Sequence, residues 1–492
     1  MLESPPRKRK PRFGAVSPFA LRPPMTPAPH HLPLLLALVL AQPVAAQGLD
    51  DPFDTQALTP PPVGEPCTPA PLDQPLTLLD AVDSALCASP QTRQIWASAK
   101  VQGAQVGVAL GGYLPNLDAS VALSRSQSNG VGRTNQTVGA SLSWLLYDFG
   151  GRDAQHDSAR ALLDAALASQ AAGVQSVLLA TVDGFYKVWS LEQALTAAQQ
   201  SEAAARTSFE AAQARRQAGT AARFDELTAK TAWSQAQLTR ITAQGNLNNA
   251  RGGLASLLGR GPTAPLTLIV AEPSPPSDAF AQEVTALLDQ AKRQRPDLLA
   301  QGFQVASAQA QVESARASGL PSLSLGASAG WQRSSGLSDS RSTSLGLTLS
   351  IPLFSGFTTT YRIQAAQAQV EAARASRDQL ARQVALQVWN AYQALTTAIQ
   401  SLRTSLDLLA SAQESERVAR GRYEAGVGNI LDLLNAQTAS ANARQQRVQA
   451  LYDGYLARIT LAQAVGGLDR EAIIQLAPAH PPTSAPQMGA QP

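Results

Sequence analysis

Hydrophobic residues along the chain follow two different periods. Across residues 115–147 and 321–354, apolar residues alternate with Ser, Gly and Thr, which is typical of strands with one apolar and one polar face. The segments Ala154–Gln217 and Tyr361–Glu424 are instead rich in Ala and Gln and have the pattern of very long helices. The sequence therefore predicts an α+β protein in which two strand pairs alternate with two long helices.

The second long helix also carries a heptad pattern. Its large apolar residues step by four and three positions: Val388, Tyr392, Leu395, Ile399, Leu402, Leu406 and Leu409. A seam of this kind packs against another helix. We therefore expect the long helices to lie against helical neighbours.

Each long helix is followed by a glycine and, six residues later, by an aspartate. Gly219 and Asp225 form the first pair, and Gly426 and Asp432 form the second, 207 positions further on. Glycine allows the left-handed conformation that ends a helix, and aspartate suits the positive end of the next one. These residues predict two tight helix hairpins, with tips at about 218–225 and 425–432 and with shorter helices at Asp225–Leu258 and Asp432–Val465.

The match between the two halves extends over almost the whole chain. Pro90 corresponds to Pro296, and Gly259 corresponds to Gly466, so we predict two internal repeats. The predicted segments in chain order are a leader (1–46), a Pro-rich lead-in (47–75), a first repeat (76–265), a mid-height segment (266–295), a second repeat (296–467) and a C-terminal tail (468–492).

The N-terminal residues have the pattern of an export signal. Leu32–Ala41 is a short apolar run, and Val44-Ala45-Ala46 follows as a cleavage pattern, with Met25 as an alternative start. A disordered tail on a cytosolic protein is the competing interpretation. In an exported protein Cys67 and Cys87, the two cysteines of the chain, form a candidate disulfide. Two unpaired thiols are the alternative.

Composition and motifs argue against catalysis and against nucleic-acid binding. The net charge is only +3, and aromatic residues make up 5% of the chain. Of the four histidines, only His156 lies in a segment predicted to be structured, so no metal or catalytic cluster is expected. No phosphate-binding loop is present. We therefore expect no enzyme activity and no cofactor.

The alternating strands suit either a half-buried soluble sheet or a membrane. Their length of about ten residues, their Ser/Gly/Thr faces and the export signal favour transmembrane β-strands, joined by polar loops at Ser126–Asn135 and Ser334–Ser342. Four strands cannot close a barrel, and an open edge in lipid leaves backbone groups unpaired. The chain must therefore assemble with copies of itself. A dimer and a trimer both allow closure, and only the trimer gives a wide lumen.

Two hairpins and two corners resemble the TolC family of outer-membrane channel proteins. The second hairpin reads Tyr423-Glu424-Ala425-Gly426 and then Asp432-Leu433-Leu434-Asn435, and the first hairpin matches it in register. The strand-to-helix corners at residues 144–148 and 351–354 are also similar to those of the family. The resemblance implies a homotrimer with a twelve-stranded barrel, four strands per chain, in the bacterial outer membrane. It also implies a long α-helical barrel that crosses the periplasm.

The resemblance also assigns roles to the hairpin tips. The family has a Tyr, an Arg and two Asp on its second hairpin and an Asp on its first. Tyr423, Asp432 and Asp225 stand at matching positions, whereas Gly428 replaces the Arg and Asn435 replaces the second Asp. We expect an aperture ringed by Asp432, with Tyr423, Asp225 and Asn435 around it. Simple helix capping by Asp225 and Asp432 is the alternative.

The family docks at these tips on a periplasmic adaptor and an inner-membrane transporter. The docking residues predicted here are Gly219, Thr220, Gly426, Val427 and Gly428. The long Pro-rich lead-in with its cysteine pair, and the absence of a lipid-attachment cysteine after the leader, resemble the toxin-secretion members. The expected function is type I secretion of a protein such as cyclolysin through an ABC transporter. Drug efflux with an RND pump, and a soluble exported coiled-coil scaffold, are the alternatives.

Overall fold

The computed structural model describes residues 51–60, 75–270 and 283–476. The chain divides by its contacts into Met1–Pro52 and Phe53–Pro492, and every element named below belongs to the second unit. The predicted leader, Cys67 and the tail beyond residue 476 lie outside the described residues. The export signal and the Cys67–Cys87 bridge therefore stay predictions.

The described residues form helices and strands in two similar series. The first series is α1 Leu78–Ala88, α2 Pro90–Gly111, β1 Asn116–Ser128, β2 Val131–Tyr147, α3 Gly151–Gln217 and α4 Arg223–Leu257. The second series is α5 Val284–Gln294, α6 Pro296–Ala317, β3 Ser322–Ser334, β4 Ser340–Ser350, α7 Thr358–Glu424, α8 Ile430–Ala464 and α9 Arg470–Leu476. Pro90 and Pro296 each stand at the start of a helix, where the missing N–H is not needed.

Helix lengths recur between the two series. The long helices α3 and α7 both have 67 residues, α4 and α8 both have 35, and α2 and α6 both have 22. At 1.5 Å per residue, each long helix is about 100 Å long. Both long helices begin three residues before the predicted starts, because each corner between strand and helix is very tight. Phe149-Gly150 and Gly356-Phe357 take left-handed conformations that turn the chain at once.

The four strands form one antiparallel sheet in the order β1-β2-β3-β4. The register places the apolar residues of all four strands on one face, for example Leu117 opposite Leu142 and Leu325 opposite Leu347. This face is not buried within the chain, since Val121 is 74% exposed and Leu345 is 77% exposed. The sheet is therefore not the half-buried sheet of a soluble domain, and β1 and β4 are unpaired at its edges.

The predicted loop at Ser126–Asn135 is wrong. β1 and β2 stay paired up to Ser128 and Val131, so the connection is only Asn129-Gly130. Both residues have positive φ, 50° and 80°. This is the requirement of the tight type I′ turn, which matches the twist of paired strands. The second connection, between β3 and β4, is a five-residue loop within the predicted 334–342.

The two largest apolar cores of the described residues hold most of the helices together. The larger core joins α1, α3, α4 and α8 around Phe185, Val182 and Leu254, and the second joins α5, α7 and α8 around Val388 and Leu395. By length and hydropathy α3 is the one described helix able to cross a membrane. Its most apolar stretch is 33% buried inside the chain, so length and hydropathy do not by themselves make α3 a membrane span.

The predicted heptad on α7 is half right. Val388, Leu395 and Leu402 are buried, but Leu406 is 44% exposed. The other half of the buried seam consists of small residues, which are Ala391, Ala398 and Ser405. Small side chains let helices pack closely. A prediction based only on large apolar residues therefore misses the alanine and serine positions of the buried seam.

Candidate functional site at the hairpin tips

Both hairpins turn through the same backbone motif. At the first tip Gly219 has φ 75°, and the Thr220 and Gly219 N–H groups donate to the carbonyls of Arg215 (2.9 Å) and Arg216 (3.0 Å). At the second tip Gly426 has φ 79°. There Val427 and Gly426 donate to the carbonyls of Arg422 (3.0 Å) and Tyr423 (3.1 Å). This pair of bonds is the Schellman motif, which closes a helix on a left-handed glycine.

The helices after the tips begin two residues earlier than predicted. α4 begins at Arg223 and α8 begins at Ile430. Asn429 caps α8, because its Oδ1 accepts the Leu431 N–H at 3.0 Å. Asp225 and Asp432 lie in the first turns and cap neither helix. Their carboxylates still face the positive end of a helix dipole, which favours negative charge.

Asp432, Asn435 and Gly428 lie together at the second tip. Asp432 and Asn435 are exposed, and all three residues line a cavity of about 580 Å³ between α7 and α8. Arg422 and Glu414 line the same cavity. Asp432 therefore faces an open surface of mixed polarity that also carries the Arg422 side chain.

Tyr423 lies apart from that cavity. Its side chain is 6% exposed and packs with three apolar residues of α8 and with Ala211 and Ala232 of the first hairpin; the α8 residues are Ile430, Leu433 and Leu434. Asp225 is half-buried in the first hairpin. The predicted aperture residues thus do not form one cluster within a protomer.

Arginine side chains make specific contacts at both tips, although the sequence pattern gives no reason to single them out. The Arg215 guanidinium lies over the Tyr423 ring at 4.1 Å. Arg216 pairs with Glu226 at 2.5 Å, within the first hairpin. Two arginines at the end of a helix look like simple partners for its dipole. No sequence signal shows that one of them contacts a residue 208 positions away.

Further along the second hairpin, acidic side chains are paired with arginines. Glu416 of α7 is 6% exposed and contacts Arg420 and, at 3.3 Å, Arg444 of α8. Glu414 pairs with Arg417 at 2.5 Å, and this hydrogen bond lowers the pKa of Glu414. In the described ranges, no group of three or more His, Cys, Asp or Glu residues could hold a metal ion.

Comparison with known proteins identifies the family. The model of the outer membrane efflux protein family matches twice, at residues 81–260 and 287–467. The chain belongs to this family. The resemblance drawn from the hairpins and corners is thereby confirmed. The chain is an outer-membrane protein that extends into the periplasm, and it is a transport conduit rather than an enzyme.

Individual relatives agree with this assignment. Protein CyaE of Bordetella pertussis is 36% identical over 410 residues, which cover 81% of this chain and 85% of CyaE. The alkaline protease secretion protein AprF of Pseudomonas aeruginosa is 31% identical over 255 residues, 50% of this chain and 52% of AprF. The crystal structure of the Campylobacter jejuni CmeC outer membrane channel has a TM-score of 0.71 at 18% identity. It covers 81% of this chain and 88% of CmeC, and it shows the fold alone.

Proposed function

We propose that this chain is the outer-membrane export duct of a type I secretion system and that it acts as a homotrimer. The observation that carries the proposal is the four-stranded sheet, which exposes one apolar face and has two unpaired edges. Three copies would join β1 to β4 and close a twelve-stranded barrel. Two copies would give an eight-stranded barrel. Side chains fill the interior of a barrel of this size or leave room only for a small ligand. A protein cargo needs the wider lumen.

The helices form the periplasmic part of the duct in this proposal. Each strand pair leads directly into α3 or α7, which carry the chain about 100 Å away from the sheet. The matched hairpins then stand at the far end. Three copies would supply six hairpins and a continuous helical tunnel.

The hairpin tips are the proposed docking surface for a periplasmic adaptor and an inner-membrane ABC transporter, which would supply the energy. Gly219, Thr220, Gly426, Val427 and Gly428 form the turns themselves, and Val427 is 72% exposed. An exposed apolar side chain on a tight turn is suited to contact with a partner protein.

The proposed aperture lies beside the same tips. Three exposed Asp432 side chains, brought together by threefold symmetry, would make an acidic ring with Asn435 next to it. Tyr423 and Asp225 would lie behind this ring and would not line the aperture themselves, because Tyr423 is buried and Asp225 is half-buried. Rings of carboxylates favour cations in narrow pores.

A secreted protein, such as a toxin of the cyclolysin class, is the proposed cargo. AprF is an alkaline protease secretion protein, and the Pro-rich lead-in with the cysteine pair resembles the toxin-secretion members. The family is that of outer membrane efflux proteins, so export of small molecules with an RND pump is the second candidate.

Deletion of the gene in its own bacterium separates the two candidates. Type I secretion predicts that one protein disappears from the culture supernatant while susceptibility to drugs and detergents stays unchanged. A plasmid-borne copy of the wild-type gene should restore secretion of that protein. Drug hypersensitivity with an unchanged supernatant would instead establish efflux and contradict the secretion proposal.

A further inference from the structure

Arg215 links the two hairpins of one protomer. It lies in the last turn of α3, and its guanidinium stacks on the Tyr423 ring of α7 at 4.1 Å. Its Nη2 also donates to the Tyr423 carbonyl at 2.6 Å and lies 3.4 Å from the Glu424 carbonyl. One side chain therefore holds both the ring and the backbone at the end of α7.

The chemistry of this contact is favourable for three reasons. The carbonyls at the C-terminal end of a helix carry partial negative charge and lack partners within the helix. A cation over a buried tyrosine ring is attracted by the ring face. The planar guanidinium can stack and donate hydrogen bonds at once, which an ammonium group cannot.

Few other polar contacts join the hairpins near this end. Ser208 of α3 and Gln437 of α8 hydrogen-bond at 3.0 Å, about two helical turns from Arg215. Beyond that level, within the described residues, Arg215 makes the polar contact between the hairpins, and the small apolar cluster around Tyr423 lies beside it. The adjacent Arg216 pairs with Glu226 inside its own hairpin.

We propose that Arg215 is the lock between the two hairpin tips, and that its release lets the end of α7 and the following turn move. The proposal deepens the export-duct function and rests on it for its physiological meaning: the second tip carries Asp432, so the Arg215–Tyr423 contact would hold the aperture in its closed form. Arg216 has no such role, although it is the next residue in the chain.

Amide hydrogen exchange on the full-length purified protein tests the lock directly. Arg215→Ala should make peptides covering residues 418–430 exchange about tenfold faster, as expected when a charged hydrogen bond is lost. Arg216→Ala is the matched control, and it should accelerate exchange only in the first tip, at residues 216–226. Unchanged exchange at 418–430 in Arg215→Ala, or the same acceleration there in Arg216→Ala, would overturn the proposal.

Single-channel recording in planar bilayers tests the consequence for the aperture. Arg215→Ala should raise the open probability by about tenfold over the wild type, and Arg216→Ala should leave it unchanged. An equal open probability in Arg215→Ala and the wild type would overturn the assigned role at the aperture. If the wild type forms no channels, the export-duct proposal fails, while the exchange experiment still decides whether Arg215 locks the tips.

Discussion

Gly428 lies so close to the end of α7 that it leaves no room for a side chain. A Cβ atom here would come within 2.8 Å of the Tyr423 amide nitrogen and 2.9 Å of the Arg422 carbonyl carbon. Backbone atoms cannot move aside as a flexible side chain can. The arginine that the resemblance leads us to expect at this position would therefore require a different path of the turn.

We expect Gly428→Ala to destabilise the second tip by about 1–3 kcal/mol, because overpacking strains the turn. Trypsin cleavage after the exposed Arg422 reports how often this tip opens, and it should become faster. Gly421→Ala is the control, since a Cβ at this helical position meets no atom within 4 Å. Alanine there should stabilise α7 by about 0.5–1 kcal/mol and slow the cleavage. The same cleavage rate in both variants would contradict this account.

Asp432 and Asp225 occupy the same place in their helices but differ in exposure. If Asp432 rings the aperture, Asp432→Ala should reduce cation selectivity and block by multivalent cations in planar bilayers. Asp225→Ala should leave both nearly unchanged and cost about 0.3–1 kcal/mol of local helix stability, from the lost dipole interaction. Unaltered selectivity in Asp432→Ala would place the constriction elsewhere.

At the scale of elements, side chains of α3 tie the first strand pair to the helices. Arg152 donates to the Leu145 carbonyl at 2.7 Å and the Leu146 carbonyl at 3.2 Å, at the end of β2. The Tyr113 hydroxyl, just before β1, donates to the Asp153 carboxylate. Trp144 donates to the Tyr113 carbonyl at 2.9 Å. The corner is thus fixed from both strands.

This corner should loosen at high pH. Burial, and next the hydrogen bond to Asp153, raise the pKa of Tyr113 to about 12 from the ordinary 10.0. Because the folded-state pKa is raised, the stabilisation is complete below about pH 10 and is lost as the pH rises towards about 12. A difference titration of tyrosinate absorbance between wild type and Tyr113→Phe should show one group ionising near pH 12. Ionisation of that group near pH 10 would contradict the contact.

The sequence predicted the elements better than their contacts. Period-two alternation identifies the strands because the pleat places alternate residues on opposite faces, and the register of Leu117 and Leu347 agrees with it. The type I′ turn at Asn129-Gly130 was missed because polar residues around it resembled a loop. Alanines on the α7 seam carry no hydrophobic pattern. Arg215 could not be foreseen, since its partner Tyr423 is distant in sequence and is brought near only by the packing of two hairpins.

In the assembled molecule, we expect a charged substitution to have opposite effects on the two faces of the sheet. Leu347 is 66% exposed on the apolar face, and the adjacent Thr348 points to the other face. Leu347→Arg should cost about 2–4 kcal/mol per chain if this face meets lipid. Heat-stable oligomers in the outer-membrane fraction should then fall sharply. Thr348→Arg should be tolerated, because it would face a water-filled lumen. Equal loss in both variants would contradict the assignment of the faces.

The far ends of the strands differ in what they can present to the surroundings of a cell. The two-residue turn Asn129-Gly130 does not tolerate an insertion, because an added residue breaks the type I′ turn and the pairing of β1 with β2. The loop between Ser334 and Ser340 carries Gly336 at φ 83° and Leu337 at 57% exposure, and loop tips of this kind accept insertions. In the proposed orientation, this loop offers an antibody or a phage a larger binding surface than the two-residue turn does. An epitope tag for labelling intact cells therefore belongs between residues 336 and 339.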